Sequence, residues 1–350
     1  MLQIPHSPAD ITPDWLSHVL DAPVTAVRVE KSHEGTTGRV LIRVDYGAPA
    51  GLPARLFVKL PPGDEAQRAF VCANGMGRRE AMFYRLLSRE VPVRVPRCYH
   101  ADWDDAGEHY VMVLEQLEES GCTFRNASTR YSLDYIRSVL AAFARLHAAY
   151  WESPRFDGDL AWVEPPAQHP VAVKLIDRAL ARYRDAMPAV FSHLGELYRT
   201  RQDAIHRLWE QGPLTLVHGD VHDGNLFFDR DRPGFLDWAV VARASPLRDV
   251  GYFLAGTLRP EDQRHHREAL LAYYREQLLA CGAPAPGLEI LYRQYQWHSA
   301  YVWVGAAVTL AMGDAWQPVN YVTRSLDHLH AALEELDTVA ALEAALEEAA

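Results

Sequence analysis

Lysine is almost missing from this 350-residue chain. Of its 35 basic residues three are lysines, Lys31, Lys59 and Lys174, which leaves 32 arginines. The skew, beside abundant alanine, reads as a GC-rich coding bias of bacterial type. A lysine kept against that bias marks a place where a compact ammonium serves and a guanidinium fork does not. Basic charge is short overall: 46 acidic residues against 35 give a net charge of −11, which argues against a nucleic-acid platform. Cysteine is scarce as well. Cys72, Cys98, Cys122 and Cys281 are scattered with no CxxC pair, which argues against a zinc or disulfide framework and for reduced, buried thiols. No stretch reaches the ~18–20 apolar residues of a membrane span; residues 302–313 come nearest and fit a buried helix. The opening MLQIPHSPAD has neither a basic region nor an apolar core, so no secretory signal is expected and a cytoplasmic protein is. GxxxxGK[ST] occurs nowhere, which speaks against a Walker-type nucleotide site.

What is present falls into two regions. The first ~115 residues read as strands: VTAVRVE from Val24, GRVLIRVDY around Val40, RLFVKL around Phe57 and HYVMVLE around Met112. In the second of these Val40, Ile42, Val44 and Tyr46 recur at every second position, with Arg43 and Asp45 on the other face, the period of a half-buried strand. Residues 78–89 (RREAMFYRLLSR) read as a helix that Pro92 and Pro96 then end. Past residue 118 the period becomes helical: Ile136, Val139, Leu140, Phe143, Leu146 and Tyr150 share one face. Further helices are expected over 171–210, 262–281, 288–312 and 327–350. The expectation is an α+β chain, with an N-lobe over 1–114, a hinge at 115–119 and a larger helical C-lobe over 120–350.

The most informative stretch is residues 214–241, LTLVHGDVHDGNLFFDRDRPGFLDWAVV. An apolar run leads into His218-Gly219-Asp220, Asn225 follows five positions after Asp220, and a hairpin returns the chain to Asp237. The Asp-to-Asn spacing is that of the protein-kinase catalytic loop, with Gly219 where arginine is usual. Phosphoryl transfer asks for a carboxylate to take the proton of the attacking hydroxyl and for hard oxygen ligands to hold Mg²⁺. Asp220 suits the first task; Asn225 and Asp237 suit the second. Isolated Asp and Asn in a turn are usually turn formers, but the combination between two apolar strands is far more specific.

Such chemistry also needs a cation on the phosphates. Lys59 lies mid-strand between Val58 and Leu60, where burying an ammonium is costly unless it is paired. Glu80, beside the apolar run 81–84, is the natural partner, with Glu65 and Glu90 as competitors. Between the first two strands HEGTTG places Gly35, Thr36 and Thr37 in a loop whose backbone and hydroxyls suit phosphate contacts.

At this point the chain resembles the aminoglycoside phosphotransferase and choline kinase-like family, through HGDVHDGN and FLDW. VKLPP, REAMFYRLL, VLEQLEE, FARLHAAYW and SPLRDVGYFL are similar to its ecdysteroid-kinase-like branch. The resemblance spans about residues 24–260. It implies a protein-kinase-like bilobal fold and ATP-dependent phosphorylation of a small-molecule hydroxyl, with GTP as a possible donor in place of ATP. It further implies Asp220 as base, Asn225 and Asp237 on Mg²⁺, Lys59 on the α/β-phosphates and Glu80 orienting it. Backbone near Glu115 and Leu117 would meet the adenine, and Asp249 would brace the catalytic loop. GTTG departs from the usual glycine-rich pattern, and Trp238-Ala239 stand where protein kinases have Phe-Gly.

The acceptor is not legible. Tyr292, Tyr295, Trp297, His298, Tyr301 and Trp303 cannot all share one helix face, so Trp297 and His298, with Trp238, are candidate substrate contacts against a reading as core. A polycationic aminoglycoside fits the net charge, but the terminal helix holds much of the acid. A macrolide, a nucleoside antibiotic, a sterol-like alcohol or a hydroxy acid derivative fits equally, so antibiotic resistance is one role among several. The expected partners are a small hydroxyl acceptor, neither nucleic acid nor membrane, in a monomer or homodimer. Two alternatives stand beside the kinase: a metal-dependent hydrolase using His218, Asp220, His222 and Asp237, and a catalytically silent kinase-like binding protein.

Overall fold

The computed structural model describes residues 3–33, 35, 37–125, 131–166, 168, 170–314, 316–317 and 319–349. Two compact units divide the chain: Met1–Ala127 joined by Gly224–Val241, and Ser128–Asp223 joined by Ala242–Ala350. This differs from a linear division at 115–119, because residues 224–241 pack with the first unit. Phe227 and Leu236 cluster with Leu117 and Cys122. Thr123 and Phe228 exchange both backbone hydrogen bonds at 2.8 Å, and Arg94 pairs with both Glu115 and Asp229.

The first unit is built on a five-stranded antiparallel sheet: β1 (Val24–His33), β2 (Gly38–Tyr46), β3 (Arg55–Leu60), β4 (Cys98–Trp103) and β5 (Tyr110–Glu115). Their order is β1-β2-β3-β5-β4. The four strands expected from sequence are all there. The edge strand β4, whose CYHADW lacks apolar alternation, was not expected. On one face Val40, Ile42, Val44, Leu56, Val58, Val111 and Val113 pack with Trp15 and Leu16. Because strand side chains alternate, Lys59 takes the opposite face from Val58 and Leu60.

Two helical segments follow β3 where one was expected. Asp64 caps Glu65–Ala73 by accepting the Gln67 N–H, a signal that DEAQ carries and the apolar pattern does not. The expected helix 78–89 is an α-helix only over Met76–Met82, after which Phe83–Leu87 opens into a π turn with Phe83, Tyr84 and Leu87 buried.

The second unit is helical. Its central helix, Leu288–Met312, is buried on several sides through Leu291, Tyr295, Trp303, Ala307 and Leu310. That explains why its aromatics obey no single stripe. Around it lie Pro170–Tyr183, Ala189–Trp209, Leu247–Thr257 and Val319–Glu335. The stretch 171–210 breaks before Pro188. The expected terminal helix breaks at Asp337, whose φ of 50° ends Val319–Glu335 before Thr338–Glu348 begins. A short ladder of Thr215–Val217 with Ala242–Ala244 leads into the HGD loop. Among the described residues no helix is long and apolar enough to cross a membrane.

Candidate active site

Within the first unit three charged side chains meet. The Lys59 ammonium donates to both oxygens of Glu80 at 2.8 and 2.6 Å and to Asp237 at 3.0 Å. Lys59 is 3 % exposed and Glu80 is fully buried, so water shields neither. Burial pulls the ammonium down, but Asp237 and Glu80 outweigh it and hold Lys59 above the usual lysine range. Burial likewise raises the Glu80 carboxyl, against the pull of Lys59. Neither charge could stand here alone.

Local structure explains how these groups converge. Glu80 sits in Met76–Met82, which approaches β5 so closely that a Cβ on Gly77 would lie 1.9 Å from the Tyr110 ring. Only glycine allows that approach. Asp237 follows the hairpin Leu226–Asp229/Arg232–Phe235 and adopts a left-handed backbone, φ 64°, which aspartate tolerates better than most residues. Its neighbours hold that turn: the Trp238 N–H donates to Glu80 and the Asp237 N–H to the Tyr84 hydroxyl. Just beyond the hairpin the Leu236 N–H donates to the Asn225 carbonyl at 3.0 Å. Asn225 and Asp237 are thus fixed at the open end of one hairpin. A carboxamide and a carboxylate make a hard-oxygen donor pair, the chemistry Mg²⁺ prefers, so these residues fit that ion.

The remaining positions of the first unit are mixed. Gly35 and Thr37 lie in the connection between β1 and β2, with Thr37 buried; Thr36 lies outside the described residues. The Glu115 carboxylate accepts Arg94 and the Arg97 N–H, and the Leu117 carbonyl accepts the Cys122 N–H. Trp238 does not serve as a substrate contact. Its ring is fully buried, stacks on Phe83 at 4.0 Å and donates to the Phe235 carbonyl.

In the second unit the HGD loop is held from beneath. Asp249 accepts the His218 and Gly219 N–H groups, each at 2.8 Å. His147 Nε2 lies 3.3 Å from the same carboxylate, which leaves Nδ1 to accept the Tyr274 hydroxyl at 2.8 Å. Burial alone would raise the Asp249 carboxyl; the His147 hydrogen bond, the neighbouring His147 and His218, and the Gly219 N–H hold it below the usual range. Gly219 has φ 84°, a conformation that disfavours the arginine protein kinases carry at this position. His218 is buried and its Nδ1 accepts the Asp220 N–H, while Asp220 itself is half-buried with His222 Nε2 at 3.7 Å. The Tyr301 hydroxyl donates to the Gly219 carbonyl at 3.0 Å.

Trp297 is packing: its Nε1 donates to the Ala341 carbonyl and the ring lies in the helical core. His298 is fully buried between Gly251 and Trp209, so it presents no surface to an acceptor. Sequence reasoning missed His147 and Tyr84. His147 was visible in principle as a polar residue on the apolar face of Leu133–Ala149; Tyr84 was hidden among apolar neighbours.

The chain belongs to the APH phosphotransferase enzyme family, whose family model matches residues 35–287. It is a phosphotransferase enzyme with a protein-kinase-like fold. No curated protein sequence matches it. Among solved structures it is similar to a Ralstonia eutropha JMP134 protein provisionally described as an aminoglycoside phosphotransferase: 16 % identity, 96 % of this chain and 97 % of that one, TM-score 0.56. It is also similar to aminoglycoside 2'-phosphotransferase-IIIa in its GDP complex (14 %, 91 % and 96 %, TM-score 0.52). Choline kinase from Cryptosporidium parvum Iowa II gives 12 %, 93 % and 92 %, TM-score 0.52.

Proposed function

We propose that the chain transfers the γ-phosphoryl group of ATP, or of GTP, to a hydroxyl of a small molecule. The observation that carries this is the buried ammonium of Lys59 held between Glu80 and Asp237. A fold gains little from such a triad, whose desolvation cost rivals its attraction. A phosphate site gains a fixed point charge. Lys59 contacts the nucleotide phosphates, Glu80 orients it, Gly35 and Thr37 cover the phosphates, and backbone around 115–119 meets the base. Asn225 and Asp237 hold Mg²⁺, which screens charge on the phosphates. Asp220 takes the proton from the acceptor hydroxyl. The acceptor oxygen bonds to the γ-phosphorus, the bond from that phosphorus to the bridging oxygen breaks, and the nucleoside diphosphate leaves. With ATP as donor we infer a cytoplasmic site of action.

A hydrolase built on His218 is not favoured. That imidazole is buried and accepts the Asp220 N–H, and among the described residues no three His, Cys, Asp or Glu side chains are arranged to hold a metal. The test is Asp220→Asn in a panel of hydroxylated antibiotics and metabolites with ATP or GTP, read by product mass. Turnover is expected to fall by about a hundredfold to ten-thousandfold while nucleotide binding persists. Near wild-type turnover of a verified acceptor would remove Asp220 from the role of base.

A further inference from the structure

Arg248 stands apart from the other half-buried arginines of the helical unit. Arg155, Arg243, Arg259 and Arg267 each have a carboxylate within 4.0 Å, and Arg275 donates to the Pro286 carbonyl. Arg248 lies in the first turn of Leu247–Thr257, half-buried. Its guanidinium sits 3.5 Å over the Tyr301 ring, and among the described residues no side-chain oxygen pairs with it. A guanidinium brings five N–H donors in a planar fork, and stacking on a ring engages none of them.

The surroundings do not neutralise it. Next to it in sequence, Asp249 is spent on His147 and the loop amides. The nearby imidazoles stay uncharged: burial and the Arg248 charge push His206 down to about 4 and His298 down to about 3. His298 has no hydrogen-bond partner at either ring nitrogen, but it is fully buried and does not itself meet an acceptor. Trp209 joins the two sites, its ring centroid 6.3 Å from His298 and 5.8 Å from Tyr301. Tyr301 in turn donates to the Gly219 carbonyl, so Arg248 stands one aromatic ring away from the peptide that precedes Asp220.

We propose that Arg248 binds an oxyanion of the acceptor, a carboxylate or a phosphate, so that the substrate is an anionic hydroxyl compound and not a polycation. This rests on the phosphotransferase reading above. The fork matches a planar carboxylate or two phosphate oxygens bidentately, and the Tyr301 ring keeps the guanidinium plane fixed while it waits. A cationic acceptor would meet like charge here, which disfavours it through repulsion as well as lost contacts.

The test measures turnover with ATP and Mg²⁺ of hydroxy acids (malate), sugar and polyol phosphates (glycerol 3-phosphate), their neutral counterparts (dimethyl malate, glycerol) and cations (kanamycin, choline). The proteins are wild type, Arg248→Gln and Arg248→Lys. An anionic acceptor is expected to have the lowest KM, and which arm supplies it separates carboxylate from phosphate. Arg248→Gln should raise that KM about tenfold to a hundredfold, the range of a lost charged hydrogen bond, and leave the KM for ATP alone. Arg248→Lys, which keeps the charge and guards against a folding failure, should fall between. The advantage of the acid over its neutral counterpart should vanish in Arg248→Gln. Turnover confined to cationic or neutral acceptors, or an unchanged KM for the best anion in Arg248→Gln, overturns the proposal. Failure of the wild-type protein to bind Mg²⁺-ATP at all would strike the phosphotransferase reading instead.

Discussion

The Asp249 carboxylate accepts the Gly219 N–H at 2.8 Å with one oxygen while the other takes the His218 N–H. Two consecutive amides of the HGD loop are therefore fixed by one buried side chain, and the carbonyl of the same glycine is taken by Tyr301. A loop tied at amide and carbonyl has little freedom left. The half-buried Asp220 inherits that rigidity without being fully desolvated.

Asp249→Asn tests this clamp. The substitution keeps the size but sets an amide NH₂ against at least one backbone N–H or against His147. Leaving a buried donor unsatisfied costs about 1–3 kcal/mol, so the urea midpoint should drop. Turnover should fall more than nucleotide affinity, because Lys59, Glu80 and Asp237 are untouched. Equal losses in both would mean that Asp249 supports the fold only.

Lys59 yields a paired expectation. Lys59→Met leaves the Glu80 and Asp237 carboxylates without their shared cation, and uncompensated buried charge costs about 3–5 kcal/mol. Lys59→Arg restores charge but not shape: a planar fork replaces a point charge in a site 3 % exposed. Both variants should lose at least about tenfold in Mg²⁺-ATP affinity by calorimetry, with the arginine form the more stable of the two. An arginine form that bound ATP like the wild type would show that charge alone suffices.

Much of the fold could be read in advance. The strands were visible because Val40, Ile42 and Val44 recur at every second position with Arg43 and Asp45 on the other face, and Lys59 was conspicuous as a polar residue in an apolar strand. The Asp220, Asn225 and Asp237 pattern was visible because its spacing is fixed by a loop and a hairpin. What escaped depends on contacts distant in sequence. Residues 224–241 belong with the first unit because Phe227 meets Leu117 and Cys122, a long-range fact that no local period records. Trp238 and Trp297 were plausible ligand contacts because aromatic composition does not distinguish a pocket from a core. The open fork of Arg248 was invisible, since nothing in SPLRDVGY says that its neighbour Asp249 faces elsewhere.

The buried histidines predict a pH response. The His298 imidazole titrates at about 3 in the folded protein, by burial and then by the charge of Arg248, and near 6.5 when unfolded. Its pKa is depressed on folding, so its stability is fully present above pH 6.5 and is lost as pH falls towards 3. At pH 5 the unfolded state gains a proton the folded state refuses, which amounts to about 2 kcal/mol. His206 and His330, each lowered to about 4 chiefly by burial, act with the same sign. Urea midpoints at pH 8, 6.5 and 5 should fall slightly over the first interval and steeply over the second. His298→Leu should flatten that fall; an unaltered slope would count against the assignment.

The chain passes between its two units three times, at 127–128, 223–224 and 241–242. No single cut therefore yields two whole halves. A fragment ending at Ala127 keeps the five-stranded sheet but lacks Asn225 and Asp237, and with Asp237 goes one of the two carboxylates that balance Lys59. Gene fusions, split reporters and limited proteolysis on this scaffold inherit the same constraint. Any partition that respects the units must carry an eighteen-residue hairpin out of one and into the other.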